Sequence, residues 1–207
     1  MFNLIKISAF TYYRKLKCSN CRLENLYSAM TSVSNLVQLD ADHNKLGLGL
    51  IGELPTSITQ LNLAFNELSS FPTSIPALDK LLLLNISGNR IESLAGISHL
   101  VNLSDLHIDD NVIGEIPEEV SKLEKLKKLS LKRNRIGPKA LTFEGQSIHE
   151  RVLVESNLDS IDLEGNPIKK SDIMNFNGIE AFLERRKKQK EKNLMLGAST
   201  DLELFGM

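Results

Sequence analysis

The sequence predicts an α/β solenoid, in which a curved parallel sheet forms the concave face and mixed helical and irregular segments return over the convex side. Three observations carry that expectation. An apolar template recurs along most of the chain at nearly constant spacing, every copy places Asn or Cys at one fixed point, and the intervening segments have turn chemistry or short apolar runs rather than long helices.

The template is an apolar residue, two variable ones, then apolar, variable, apolar, two variable, Asn, variable, apolar. It fits Leu36, Leu39, Ala41, Asn44 and Leu46, then Ile58, Leu61, Leu63, Asn66 and Leu68, then Leu81, Leu84, Ile86, Asn89 and Ile91. Further copies are Leu103, Leu106, Ile108, Asn111 and Ile113; Leu126, Leu129, Leu131, Asn134 and Ile136; and Leu158, Ile161, Leu163, Asn166 and Ile168. An earlier copy, with Cys in the Asn place, is Tyr13, Leu16, Cys18, Cys21 and Leu23. Positions 21, 44, 66, 89, 111, 134 and 166 are separated by 23, 22, 23, 22, 23 and 32 residues. Such register requires one structural unit used seven times.

Each part of the unit has a physical reason. Two apolar residues flanking one variable residue make a short strand whose alternation points them inward. The Asn stands where the chain leaves the sheet, and its amide can pair with turn backbone that would otherwise be buried unsatisfied. A single unit cannot bury its own apolar face, so neighbours must stack.

The rest of the chain divides around this array. Residues 1–12 read as an N-terminal edge or partial cap, 13–168 as seven repeats, 169–192 as a capping helix with a basic end, and 193–207 as a flexible tail. The excess length of the last interval lies between Ile136 and Leu158, where Ser147 and Glu150 have the spacing of a capping box. Beyond Asn166, Phe176, Ile179 and Leu183 form an apolar stripe suited to covering the open end of the stack.

Composition narrows the function classes. Lys+Arg 25 against Asp+Glu 26 leaves a net charge of -1, so no overall field favours nucleic acid or anionic lipid. No run approaches the ~18 apolar residues of a membrane helix, and Lys6 interrupts the apolar N-terminus, so no signal peptide is expected. Cys18 and Cys21 are too few to staple a secreted chain of this size, which points to a reducing, cytoplasmic setting. The sequons at Asn85 and Asn102 then read as chance. Both cysteines fall on inward template places and are expected to be inert core thiols, since one C-S-N-C pair lacks the ligands of a structural zinc. No cofactor, metal or small-molecule substrate is expected.

The repeats are those of the leucine-rich-repeat superfamily, which the chain resembles over residues 13 to 168. The return segments with Phe71 and Pro72, and with Ile116 and Pro117, are similar to the 23-residue intracellular type, and the one through Leu94, Gly96 and Ile97 to a 22-residue type. With the E-G-N-P-I ending and charged helix after it, the chain resembles small cytoplasmic proteins of the Ras-suppressor and Shoc type, and the proteins grouped as leucine-rich-repeat-containing. The resemblance implies a scaffold or adaptor that binds another protein, small GTPases and phosphatases among the family's partners, or alternatively a regulatory subunit of such an enzyme. It implies no catalysis.

The binding residues must come from the variable strand positions. The central ones are Lys17, Asp40, Asn62, Asn85, His107, Ser130 and Asp162, and the expected partner-binding set is Asp42, His43, Asn62, Phe65, Asn85, His107, Asp109, Asp110, Lys132 and Arg133. Phe65 either stands out as an aromatic anchor or folds into the rim of the core. Asp109 and Asp110 lie in register with Lys132 and Arg133, as a charged landing site or as cross-strand ion pairs. An enzyme would have only Ser130 beside His107 to work with, and no oxyanion hole. The run from Glu184 to Lys192 carries six basic and two acidic residues, which reads as a solvated helix end or as a weak contact for nucleic acid, membrane or an acidic partner.

Overall fold

The computed structural model describes residues 13–26, 30, 33–47, 51–138 and 146–195. The expectations for residues 1–12 and 196–207 lie outside the described residues.

Seven three-residue strands form one parallel sheet in chain order: β1 (Lys15–Lys17), β2 (Gln38–Asp40), β3 (Gln60–Asn62), β4 (Leu83–Asn85), β5 (Asp105–His107), β6 (Lys128–Ser130) and β7 (Ser160–Asp162). The register is constant, so Leu16, Leu39, Leu61, Leu84, Leu106, Leu129 and Ile161 form one inward row, with variable residues on either side facing out. Leu39 through Ile161 in that row are no more than 2% exposed. Leu16, on the edge strand, is only partly buried. The convex side is short 3-10 turns at Ile75–Ala77, Ile97–His99 and Glu118–Lys122, each sending one buried apolar residue (Ile75, Ile97, Val120) into the core.

The Asn row joins each repeat to the one before it. Asn111 Oδ1 accepts the Ile91 N–H at 2.9 Å, and its Nδ2 donates to the carbonyls of Ile86 (3.1 Å), Ile108 (3.3 Å) and Asp109 (3.0 Å). One amide thus satisfies buried backbone of two repeats, and Asn44, Asn66, Asn89, Asn134 and Asn166 do the same. This explains the Cys at position 21. Its backbone N–H is held by Asn44 (3.0 Å), but among the described residues no earlier repeat needs bridging there. The expectation of two core thiols is corrected accordingly: Cys18 is buried, and burial pushes its thiol up to about 12, whereas Cys21 is exposed with its Sγ 3.3 Å from the Ser19 carbonyl.

The long last interval contains a helix, α1 (Glu150–Val154), but not the cap expected of Ser147. His149 is the N-cap, accepting from the Arg151 N–H, while Ser147 is fully buried and its hydroxyl has no hydrogen-bond partner among the described residues. The backbone on either side of Ile148 is tied to Ile116: Ile116 N–H donates to the Ser147 carbonyl (2.8 Å) and His149 N–H to the Ile116 carbonyl (2.9 Å), fixing the inserted segment to the preceding return turn.

After β7, α2 (Lys170–Ile173) and α3 (Ile179–Met195) close the end of the stack. Phe176, Ile179 and Phe182 supply the buried stripe; Leu183, expected in it, is only partly buried, and the helical phase passes through Phe182 to Arg186 instead. Helix α3 runs through residues 193–195, which were expected to belong to the tail.

Candidate binding face and its relatives

Outward side chains of the strands form the row anticipated from the template, with Asn62, Asn85 and His107 side by side on β3, β4 and β5. Asn62 and Asn85 each accept a backbone N–H two residues on, from Ala64 (3.1 Å) and Ser87 (3.1 Å), so their amides are fixed before any partner arrives. Asn62 Nδ2 also donates to Asp40 at 2.8 Å. A second outward row, Gln38, Gln60, Leu83, Asp105 and Lys128, completes this face. The template, followed from its central position onward through the places two and three residues later, does not include it, although the same alternation points residues two places earlier outward.

Phe65, His43, Asp110 and Arg133 are not strand residues. They occupy one place in the turn after each strand, and there the backbone is left-handed: φ is 51° at His43, 52° at Phe65, 66° at Gly88, 53° at Asp110, 49° at Arg133 and 74° at Gly165. For residues other than glycine this conformation costs about 1–2 kcal/mol each. At the four non-glycine places a hydrogen bond to the next repeat offsets it: His43 N–H donates to the Ala64 carbonyl (2.9 Å), Phe65 N–H to Ser87 (2.7 Å), Asp110 N–H to Lys132 (2.8 Å) and Arg133 N–H to Glu164 (2.7 Å). The result is a rim of outward-held side chains beside the strand face.

Phe65 stands out on this rim, 48% exposed. Its ring stacks on His43 with centroids 4.5 Å apart and planes 26° from parallel. On the other side it covers Gly88, where an added Cβ would lie 2.4 Å from Phe65 Cδ1. The glycine is therefore what lets the ring lie flat along the rim. Asp42 Oδ2 is 2.9 Å from His43 Nδ1 and holds that imidazole in the stack.

Farther along, the charges engage one another. Arg133 makes a two-point contact with Asp110 (Nε to Oδ1 2.6 Å, Nη2 to Oδ2 2.7 Å), which holds the Asp110 carboxyl below its ordinary range. Lys132 does not pair with Asp109. It reaches Glu164 (2.7 Å) and Asp162 (3.0 Å), and hydrogen bonding to Glu164 and Asp162 raises its pKa. Asp109 instead accepts the Ser130 hydroxyl (2.6 Å) and the Lys132 backbone N–H (2.8 Å). Because Ser130 donates to Asp109, the Ser130–His107 pair that a catalytic reading needs is not formed. Among the described residues no group of three or more His, Cys, Asp or Glu is placed to hold a metal ion, and no helix is long and apolar enough to cross a membrane.

The basic run is divided. Arg185 caps α1, with Nη1 on the Val154 carbonyl (2.8 Å) and Nη2 on Leu153 (3.0 Å), while its guanidinium lies 5.3 Å from the Phe182 ring centre. Arg186 is 5% exposed. These two arginines are structural, and Lys188 pairs with Glu184 at 2.8 Å; Lys187, Lys190 and Lys192 stand exposed.

No family model matches the chain. Among curated proteins it is similar to a leucine-rich repeat-containing protein of Schizosaccharomyces pombe, 32% identical over 119 residues, covering 56% of this chain and 19% of the relative. It is also similar to osteomodulin of Rattus norvegicus, 29% identical over 139 residues, covering 53% of this chain and 32% of the relative. The chain thus spans less than a third of the length of either. Among solved structures it is similar to an LRR protein of Leptospira interrogans (TM-score 0.60, 23% identity, 87% of this chain and 41% of that one). An internalin of Listeria monocytogenes gives TM-score 0.63 at 18% identity, over 81% of this chain and 52% of that one. The ectodomain of a membrane receptor kinase of Arabidopsis thaliana, solved in complex with Casparian strip integrity factor 2, gives TM-score 0.61 at 24% identity, over 83% of this chain and 22% of that one. Repeat sequence, fold and relatives agree on one point: this chain carries a leucine-rich-repeat solenoid.

Proposed function

We propose that the chain is a protein-binding scaffold or adaptor that engages its partner through the strand face and the adjoining rim. The observation that carries this reading is Phe65: a large apolar ring, 48% exposed, stacked on His43 over Gly88 in a turn that backbone hydrogen bonds hold in place. A preordered aromatic surrounded by fixed polar groups loses little side-chain freedom on binding, which is the character of an interaction hot spot. The solved receptor ectodomain in complex with another factor is consistent with this use of the fold. A cytoplasmic, reducing setting is part of the proposal, supported by the two free thiols. Asn102 supports it too, since its amide is engaged with the Asp79 carbonyl (2.7 Å) and Lys125 (2.6 Å) where a glycan would disrupt both.

The test is to place a photo-cross-linking residue in turn at position 60, on the strand face, and at position 98, on the convex side. Partner adducts should form from the first and not from the second, and Phe65→Ala with His107→Ala should weaken the captured partner by at least ~2 kcal/mol. Adducts from the convex position alone would reject the reading. Truncating the tail is a poor control because Arg185 and Arg186 belong to the fold, whereas Lys187, Lys190 and Lys192 replaced by Gln remove charge alone and should leave capture intact.

A further inference from the structure

The strand face is not electrically uniform. Across the outward positions of β2 to β5 and the two rim places after each strand there are five carboxylates, Asp40, Asp42, Asp105, Asp109 and Asp110, and no lysine or arginine. Three have cations from adjacent repeats: Asp40 has Lys17 at 3.3 Å, Asp105 has Lys128 at 3.8 Å and Asp110 has Arg133 at 2.6 Å. Among the described residues Asp42 and Asp109 make no ion pair with lysine or arginine; one has the His43 imidazole, the other a hydroxyl and a backbone N–H.

These two acids occupy the same place in their repeats, three strands apart, which at ~4.8 Å per strand separates them by about 14 Å along the solenoid. Between them in that row lie Ala64 and Ser87, both buried, so the floor is low. The Phe65 ring forms the side of this slot. Positive residues bracket it at both ends, Lys15 and Lys17 on β1 and Lys128, Lys132 and Arg133 on and after β6.

We propose that this slot receives an extended, arginine-bearing segment of a partner protein, running along the solenoid with one cation at Asp42 and one at Asp109 and its middle laid against Phe65. This rests on the scaffold reading above and specifies the partner chemistry. An extended chain advances ~3.3–3.6 Å per residue, so side chains four positions apart match the ~14 Å spacing. Arginine suits the site better than lysine because a planar guanidinium stacks on an aromatic face while its edge donates to the one carboxylate oxygen within reach. Beyond either end the carboxylates are already paired with Lys17, Lys128, Lys132 and Arg133, so a cationic segment that slides out of register finds no unpaired acid there among the described residues.

The experiment uses a labelled glycine–serine peptide carrying two arginines four positions apart, with lysine, glutamine and glutamate twins, titrated by fluorescence anisotropy against the full chain. The arginine probe should bind in a salt-sensitive way, the lysine twin more weakly, and the other two not measurably. Phe65→Ala, and separately Asp42→Asn with Asp109→Asn, should each lower affinity about tenfold or more. Asparagine retains an acceptor for Ser130 and Lys132, and a thermal midpoint on each variant checks the fold; if the double variant unfolds, Asp42→Asn alone must still show the loss. Equal binding of the glutamine twin, or unchanged affinity in the variants, overturns the proposal. Should the arginine probe fail while cross-links still form from position 60, this inference falls and the scaffold reading stands; should cross-links form only from the convex side, both fall.

Discussion

The rim around His43, Phe65 and Gly88 and the rim around Asp110, Arg133 and Gly165 are built on the same backbone. Both use a left-handed residue after the strand, and both have a glycine covered by the side chain of the preceding repeat, Phe65 over Gly88 and Arg133 over Gly165. Their chemistry differs. In the second, Arg133 is spent on Asp110, and Lys132 on Asp162 and Glu164, so the charges satisfy one another. In the first, a ring nearly half exposed lies between two carboxylates that have no lysine or arginine partner among the described residues. Identical geometry can therefore carry an internally neutralised surface or one whose acids keep no lysine or arginine among the described residues, and side-chain pairing across repeats decides which.

The largest expected effect comes from breaking the frame both regions share. Asn111→Leu removes the acceptor of the Ile91 N–H and the donor to three carbonyls, in a repeat that joins the two rims. Leaving such buried groups unpaired should cost about 3 kcal/mol, read as a lower denaturation midpoint with unchanged slope. Cys21→Ser, at the same template place on the exposed edge, should stay within ~0.5 kcal/mol. Equal losses in the two would show that the Asn row does not bind repeat to repeat.

The two glycines sharpen the comparison. Alanine at either must adopt the left-handed conformation at about 1 kcal/mol. At Gly88 it also meets a ring held on its far side by His43, whereas at Gly165 it meets Cγ of an arginine that can swing aside. Gly88→Ala should therefore cost about 2–3 kcal/mol and Gly165→Ala about 1 kcal/mol. Adding Phe65→Ala to Gly88→Ala should recover the excess, a coupling measured by a double-mutant cycle. If the two glycines respond alike, the Phe65 ring is not pinned as described.

How much of this was legible in the sequence follows from the same contrast. The template fixes which residues face in, because burial of a leucine every few positions is a strong and repeated demand, and so the strands, the inward row and the Asn positions were all readable. What lies outward is decided between repeats. Nothing local says that Lys132 chooses Glu164 over Asp109, that Phe65 lies flat because the residue one repeat later is glycine, or that Arg185 turns back to cap a helix about thirty residues earlier. The Phe65–Gly88 pairing had a signal: glycine at a place that holds larger residues in most other repeats, one repeat after an aromatic. Leu183 was preferred to Phe182 because both fit a helical stripe within one position, and only the direction of docking separates them.

The smallest expected effect concerns acid. Hydrogen bonding from Arg133 lowers the Asp110 pKa, and hydrogen bonding from Lys132 lowers that of Glu164. A carboxylate whose folded value lies below its unfolded value, about 3.9 for Asp and 4.3 for Glu, contributes stability that is complete above the unfolded value and is lost as pH falls through the folded one. These groups are largely exposed, so solvent and salt screen the gain. The stability difference between the wild type and Arg133→Gln should thus be small at neutral pH and shrink as pH falls below the unfolded Asp value. Phe65→Ala should differ from wild type by an amount that does not change over the same acid range. Chemical denaturation of the three proteins at several pH values decides it: a flat difference for Arg133→Gln, or an acid-sensitive one for Phe65→Ala, would erase the distinction between a rim that neutralises itself and one that is left open.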